Sequence, residues 1–186
     1  MQIEFTGRTV VVTGAARGIG AAIAQGFAER GARVFACDMA ADALAALGGG
    51  IEGRVVDVAD EAAMSAFVRE AEAATGHVDV LVHVAGGVRG KRQMPIEQVS
   101  SRDWLDIYDA NVMGAFNAAR AVVPGMKRAG GGRIVAHREL HPDHLGQGRE
   151  GECLVDDAIS RLRIPEDLDH VERLFNLGQR AIDLGA

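Results

Sequence analysis

Residues 9–20 read TVVVTGAARGIG, and this stretch decides the fold. An apolar run ends in a turn that carries glycines, and the turn opens a helical pattern. Gly14 permits a tight turn where the strand ends, Gly18 lets backbone approach a phosphate group, and Gly20 lets the helix pack close to the strand. The helix N-terminus offers unpaired N–H groups and the positive end of the helix dipole. This order of strand, glycine turn and helix predicts a site for the pyrophosphate of a dinucleotide.

A second apolar run, RVFAC at residues 33–37, leads into Asp38, which follows Gly20 by 18 positions. A carboxylate there can accept hydrogen bonds from both hydroxyls of an adenosine ribose, and it repels a 2′-phosphate. Asp38 therefore favours NAD over NADP. Arg17 argues the other way, because a cation beside the turn could receive that phosphate, although a solvated loop arginine explains Arg17 about as well.

Length and composition set limits on the kind of protein. The chain has 186 residues, of which 48% are hydrophobic and 25% charged, as expected for one packed domain. Its net charge of −6 argues against a nucleic-acid or anionic-membrane surface. No apolar run reaches the roughly 20 residues of a membrane helix, and no basic region followed by an apolar core opens the chain. Cys37 and Cys153 form no CxxC motif, so a cytoplasmic location is expected.

Apolar runs alternate with helical patterns as far as residue 136. Strands are predicted at 8–13, 33–37, 53–57, 78–84 and 132–136, and helices near 18–30, 40–47, 60–75 and 101–127, with Asp60 as an N-cap. Valine-rich runs are typical of parallel strands that are covered on both faces. Repeated strand–helix units with right-handed crossovers predict an α/β fold, a Rossmann-like doubly wound parallel sheet of about five strands in order 3-2-1-4-5.

The character of the chain changes after Ala136. Residues 137–152 are polar and glycine-bearing, and residues 153–162 and 166–184 then show helical patterns. We therefore expect an NAD-binding Rossmann-like domain over residues 1–136. An atypical, helical tail over residues 137–186 is expected to pack on the same domain.

Several motifs in this order resemble the classical short-chain dehydrogenase/reductase family over residues 5–136, about seven tenths of the chain. The stretch TGAARGIG at 13–20 is similar to that family's cofactor fingerprint, and Asp57-Val58 is similar to its adenine contact. HVAG at 83–86 stands where the family usually has Asn-Asn-Ala-Gly, and its Ala-Gly half, Ala85-Gly86, is kept. His83 stands where the family usually has asparagine, a departure that is expected to loosen the central sheet. GRIV at 132–135 resembles the fifth strand.

The resemblance implies an NAD(H)-dependent oxidoreductase acting on an alcohol or carbonyl. It implies that Asp57 meets the exocyclic amine of adenine, and that the backbone N–H of Val58 meets a ring nitrogen. It also implies that Asn111 holds a proton-relay water. The complete set of cofactor-binding residues predicted in this way is Gly14, Arg17, Gly18, Ile19, Gly20, Asp38, Asp57, Val58, Ala85 and Gly86.

The resemblance stops at residue 137, where the fifth strand runs into HREL. The family's chemistry uses a Ser at the end of that strand and a Tyr-x-x-x-Lys on the next helix. The only tyrosine here is Tyr108, and Val112 lies four residues after it. Because general acid–base catalysis contributes about 10²–10⁴-fold, hydride transfer by this chain is expected to be negligible. Two other hypotheses remain open: a non-catalytic dinucleotide-binding or oligomer-forming module, and a truncated or frame-shifted product of an oxidoreductase gene.

Three further features have competing interpretations. His137, His141, His144 and Cys153 form a metal-like cluster, but an adventitious polar loop is the favoured interpretation, and no metal site is predicted. The basic run RGKR at 89–92 could flank a cofactor or an acidic substrate, although a solvated loop is favoured. Trp104 and Phe116 are expected to be packing residues. The outer apolar positions of the helix at 101–127 are expected to contact a second copy, as the resemblance implies.

Overall fold

The computed structural model describes residues 4–89 and 95–136 as a parallel sheet with helices on both faces. The strands are β1 Thr9–Thr13, β2 Arg33–Asp38, β3 Glu52–Val55, β4 Val80–His83 and β5 Arg133–Ala136. Their order is β3-β2-β1-β4-β5, and every neighbouring pair is parallel. The predicted Rossmann-like fold and strand order are confirmed, with strand bounds within two residues of those predicted. The predicted helices of the tail lie outside the described residues.

The sheet holds together because its central strands are apolar on both faces. Val11 on β1, Phe35 on β2 and Leu81 on β4 are buried in a cluster on one face, with side chains of the helices that follow β3 and β4. Val10 and Val12 are buried on the other face, with side chains of the helix that follows β1. This two-sided burial explains why the strands read as continuous valine-rich runs instead of alternating patterns.

Helices α1 Gly18–Glu29 and α2 Ala41–Ala45 cover one face, and α3 Glu61–Thr75 and α5 Gly114–Arg128 cover the other. Asp60 caps α3, since its side chain accepts a hydrogen bond from the backbone N–H of Ala63 at 3.0 Å. That prediction is confirmed. Helix α3 then ends at Gly76, whose φ of +96° suits glycine because it has no Cβ.

The helix predicted at 101–127 is not one regular α-helix. It consists of α4 Ser101–Tyr108, a π-helical turn Asp109–Met113, and α5. The side-chain amide of Asn111 donates to the carbonyl of Ile107 at 2.7 Å, which is the acceptor that a regular α-helix would pair with the backbone N–H of residue 111. The backbone N–H of Gly114 bonds to Asp109, five residues earlier, as in a π-helix. The wider turn is therefore linked to one side chain.

The packing role expected for Trp104 is wrong within the described residues, where 61% of this residue is exposed. Leu105, Tyr108 and Val112 are also exposed on the same helical segment. Phe116 is only partly buried, and the guanidinium of Arg120 lies 4.9 Å from the centre of its ring. The α4 segment thus presents apolar side chains that nothing in the described part of the chain covers.

Candidate dinucleotide site

A cleft of about 970 Å³ opens at the C-terminal edge of the sheet. Its walls come from the turns after β1, β2, β3 and β4 and from the α4–α5 segment. Ten of the residues predicted from the sequence line it: Gly14, Arg17, Ile19, Gly20, Asp38, Asp57, Val58, Ala85, Gly86 and Asn111. Gly18 lies in the turn between Arg17 and Ile19. The fold therefore gathers residues up to 97 positions apart, from Gly14 to Asn111, around one cavity.

The glycine turn between β1 and α1 is shaped by close backbone contacts. A Cβ on Gly20 would lie 2.1 Å from the carbonyl oxygen of Gly14, and a Cβ on Gly14 would lie 2.6 Å from the backbone nitrogen of Ala85. Gly14 and Gly18 have positive φ angles, and the space beside Gly18 is open. The side chain of Arg17, the N-cap residue of α1, makes no capping hydrogen bond within the described residues. The turn therefore fits a phosphate group approaching the backbone.

Asp38 is fixed by the backbone around it. One carboxylate oxygen accepts from the N–H of Ala16 at 3.1 Å, and the other accepts from the N–H of Ala40 at 3.0 Å. Since a carboxylate can accept about four hydrogen bonds, each oxygen keeps a free acceptor position. Asp38 also lines the cleft, so these positions are suited to the hydroxyls of a ribose.

Asp57 lies just after β3 and carries two kinds of hydrogen bond. The N–H of Ala59 donates to Oδ1 at 3.0 Å, and Nη2 of Arg89 lies 2.9 Å from Oδ1 and 3.0 Å from Oδ2. Burial acts to raise the pKa of Asp57, but these hydrogen bonds and the charge of Arg89 hold the pKa below its ordinary value of 3.8. The solvated loop favoured for Arg89 is therefore wrong. Lys91 and Arg92 lie outside the described residues.

Helix α5 contacts the turn that carries Asp57 and Val58 and holds it in place. The buried amide of Asn117 donates to the carbonyls of Val58 at 3.0 Å and Ala59 at 3.2 Å. A Cβ on Gly114 would lie 2.5 Å from the side chain of Val58. Neither Gly114 nor Asn117 was predicted from the sequence as a site residue. An asparagine three residues after a glycine, on the apolar face of the helix, was the available signal.

His83 does not interrupt the sheet. It is only 3% exposed, pairs with Thr13 in the register of β1 and β4, and places Nδ1 2.8 Å from the hydroxyl of Thr13. Burial lowers the pKa of His83 to about 4, against an opposing hydrogen bond to the backbone of Ala85. The imidazole is therefore neutral near pH 7. Its Nε2 is buried without a partner in the described residues. The expected loosening of the central sheet is not seen in the strand pairing.

Asn111 links the π-turn to the loop after β4. Its amide donates to the carbonyl of Gly87 at 2.8 Å and accepts from the N–H of Gly87 at 2.9 Å. A Cβ on Gly86 would lie 2.7 Å from the same side-chain oxygen. Because both N–H donors of the amide are bonded to carbonyls, at Gly87 and at Ile107, Asn111 fixes the wall of the cleft that Ala85 and Gly86 form.

The candidate metal cluster at 137–153 lies outside the described residues. None of the helices in the described ranges, 4–89 and 95–136, is both long and apolar enough to cross a membrane.

Comparison with known proteins agrees with this geometry. The short chain dehydrogenase family matches residues 8–137. D-threitol dehydrogenase of Mycolicibacterium smegmatis (strain ATCC 700084 / mc(2)155) is 43% identical over 71% of this chain and 52% of its own length. The 3-oxoacyl-[acyl-carrier-protein] reductase FabG of Escherichia coli (strain K12) is 34% identical over 72% and 55%. The 2-dehydro-3-deoxy-L-rhamnonate dehydrogenase (NAD(+)) of Sphingomonas sp. (strain SKA58) is 36% identical over 71% of this chain and 53% of its own length.

The chain thus spans about half the length of the curated relatives it matches. The matched segment holds the sheet, the glycine turn and the cleft-lining residues, and it makes up more than two thirds of this chain. On this evidence the chain belongs to the short-chain dehydrogenase/reductase family of oxidoreductases.

Proposed function

We propose that the cleft binds NAD(H). The observation that carries this proposal is that three groups line one cavity: the open glycine turn at the N-terminus of α1, the carboxylate of Asp38, and the carboxylate of Asp57. These groups suit a pyrophosphate, a ribose and an adenine amine in turn. When bound, NAD(H) would accept or donate a hydride.

The preference for NAD over NADP rests on Asp38. Its carboxylate would repel a 2′-phosphate, and the name of one relative, 2-dehydro-3-deoxy-L-rhamnonate dehydrogenase (NAD(+)), specifies the same cofactor for that protein. Arg17 is exposed at the N-cap of α1 and lines the cleft. It is the residue that could favour a phosphate instead.

We also propose that this 186-residue chain transfers hydride negligibly, because its sequence contains no Tyr-x-x-x-Lys. The missing tyrosine would move the proton, and the missing lysine would lower the pKa of that tyrosine. Asn111 is proposed to hold a proton-relay water, the role that the family resemblance implies for it, in addition to the loop contacts of its side chain. The competing function is a non-catalytic dinucleotide-binding or oligomer-forming module, favoured by the intact cofactor cleft alongside the absent catalytic motif.

The exposed apolar residues of α4 and the π-turn, Trp104, Leu105, Tyr108 and Val112, would be covered in a homo-oligomer. Residues 1–136 would form the cofactor-binding domain, and the tail at 137–186 lies outside the described residues. A cytoplasmic location is proposed, and the substrate is an alcohol or carbonyl compound.

Calorimetric titration of the full chain with NAD, NADH and NADP tests the cofactor proposal. We expect binding of NAD and NADH, weaker binding of NADP, and a reduced preference in Asp38→Asn. Asp42→Asn, an exposed aspartate of α2 that does not line the cleft, is the matched control and should behave as the wild type. Absence of NAD(H) binding by folded protein would overturn the proposal, and equal binding of NADP would overturn the preference.

Absorbance at 340 nm tests the second proposal, with simple secondary alcohols and NAD. We expect no reduction above the rate without protein. Robust NADH formation would show that other residues of this chain supply the acid–base chemistry.

A further inference from the structure

The loop after β4 places Arg89 across the adenosine end of the cleft. Its Nη2 contacts both carboxylate oxygens of Asp57, and its Nη1 lies 3.2 Å from the sulfur of Met39. Met39 follows β2 and Asp57 follows β3, so these residues stand on neighbouring parts of the cleft wall. A side chain that touches both of them occupies the space between them.

A purine bound at Asp57 would need that same space. Oδ1 of Asp57 already accepts from the N–H of Ala59 as well as from Arg89, which leaves Oδ2 as the better acceptor for an exocyclic amine. Arg89 occupies Oδ2 too. The guanidinium and a purine amine would therefore compete for one carboxylate.

The backbone at Arg89 adopts a left-handed conformation. Its φ is +47°, and within residues 4–89 and 95–136 no other non-glycine residue has a positive φ. Such a conformation is unfavourable for a side chain with a Cβ and persists only where other contacts support it. Here the support includes the ion pair with Asp57, whose two side chains are 27% and 36% exposed. An ion pair this accessible to water can open at small cost.

We propose that Arg89 competes with the adenine amine of an adenosine ligand for Asp57, and that its side chain must swing away when such a ligand binds. This inference rests on the proposed dinucleotide function. It also gives a role to the first residue of the basic run at 89–92. The swing lowers affinity for adenosine-bearing ligands, since binding has to break the ion pair first.

The test uses adenosine, which is neutral and has no phosphate, so that phosphate contacts elsewhere cannot mask the effect. In calorimetric titration of the full chain, Arg89→Ala should bind adenosine about two- to five-fold more tightly than the wild type, as expected for loss of a partly exposed ion pair. Arg89→Lys keeps the charge and should stay near the wild type. Arg54→Ala removes a more exposed arginine–glutamate pair away from the cleft, with Glu70, and should leave adenosine affinity unchanged.

A second readout uses salt. Because screening weakens the Arg89–Asp57 pair, adenosine affinity of the wild type should rise between low and high ionic strength relative to Arg89→Ala. In an Asp57→Asn background, removal of Arg89 should no longer tighten binding. Thermal unfolding of each variant confirms that it is folded.

The outcomes separate the two proposals. Binding of adenosine by the wild type, with unchanged or weaker binding by Arg89→Ala, would overturn the competition and leave the proposed function standing. Failure of the wild type and all variants to bind either adenosine or NAD would overturn both.

Discussion

Each end of the parallel sheet carries an aspartate paired with an arginine, and the two pairs differ in what surrounds them. Asp79 precedes β4 at the N-terminal end, where it accepts from the N–H of Thr9 at 2.8 Å and from Arg8 at 2.7 Å, with His77 at 3.3 Å. Asp57 follows β3 at the C-terminal end. The side chain of Asp79 is 11% exposed, and that of Asp57 is 36% exposed and lines the cleft.

The difference shows how one residue type serves stability at one edge and binding at the other. Asp79 links β1 to the start of β4, and its hydrogen bonds are made within the protein. These bonds therefore stabilise the fold. Within the described residues, Asp57 has a single backbone partner, Ala59, and one movable arginine, Arg89, so it can exchange partners with a ligand. Ligands of open α/β sheets bind at the carboxyl ends of the strands, because the turns there leave N–H groups and side chains unpaired. The comparison predicts separable effects on stability and on binding.

The largest effect is expected at the glycine turn of the binding edge. Gly20→Ala would place a Cβ 2.1 Å from the carbonyl oxygen of Gly14, so α1 must move away from β1. We expect a loss of about 3 kcal/mol in the free energy of unfolding, together with loss of NAD binding. Gly26→Ala, in the same helix and 3.4 Å from only a flexible arginine tip, is the control and should be neutral or slightly stabilising. Urea denaturation measures both, and equal effects of the two substitutions would contradict the close packing.

Replacing each of the two aspartates by asparagine tests the comparison directly. Asp79→Asn should cost about 1–2 kcal/mol of stability, because it weakens hydrogen bonds in a mostly buried cluster, and it should leave NAD affinity unchanged. Asp57→Asn should cost less stability and weaken NAD binding. The free energy of unfolding and the NAD affinity are measured by denaturation and calorimetry on the wild type, both single variants and the double variant. A loss of NAD affinity in Asp79→Asn at unchanged fold would break the assignment of the two edges.

The pH dependence of stability should carry a signature of His83. Its pKa is about 4 when folded and ordinarily 6.5, so between these values the unfolded chain binds a proton that the folded chain does not. Stability from this group is complete above pH 6.5 and falls as the pH drops toward 4, by up to about 1.4 kcal/mol per pH unit. His83→Asn should flatten that part of the profile. Unfolding curves from pH 4 to 7 measure the slope, and identical slopes would contradict a buried neutral imidazole.

Asp79 should act at lower pH. Burial acts to raise its pKa, but the Thr9 N–H, Arg8 and His77 hold the pKa below 3.8. A depressed carboxylate pKa stabilises the fold above the unfolded value, and this stabilisation is lost as the pH falls through the folded pKa. Asp79→Asn should therefore show a smaller stability loss than wild type below about pH 4. If the stabilities of the wild type and Asp79→Asn fall in parallel as the pH drops, Asp79 does not contribute to the acid dependence of stability.

Sequence patterns alone were enough to predict the sheet and the glycine turn. Continuous apolar runs such as residues 9–13 report strands covered on both faces, and the spacing of Gly14, Gly18 and Gly20 reports a turn with a helix behind it. These are local signals, since period, chain flexibility and the absence of a Cβ act over a few residues. The N-cap at Asp60 was predictable for the same reason.

Sequence reasoning failed where one side chain chooses among distant partners. The helix at 101–127 looked regular, because nothing local indicates that the amide of Asn111 takes the carbonyl of Ile107 and a loop 24 residues away. Trp104 was expected to be a packing residue, because hydrophobicity does not say which helix face meets the sheet. Asn117 was missed because its acceptors, Val58 and Ala59, are 58 or more residues distant in sequence.

The sequence by itself determined an α/β sheet, its strand order, a dinucleotide-type turn, the acid that ends β2 and the acid that follows β3. Only the tertiary structure decided that Arg89 lies on Asp57 rather than in solvent, and that His83 is a neutral buried group bonded to Thr13. The physical reason is the same in both cases. Charge state and hydrogen-bond partner depend on burial and on groups brought together by folding, and neither quantity is written in the neighbouring residues.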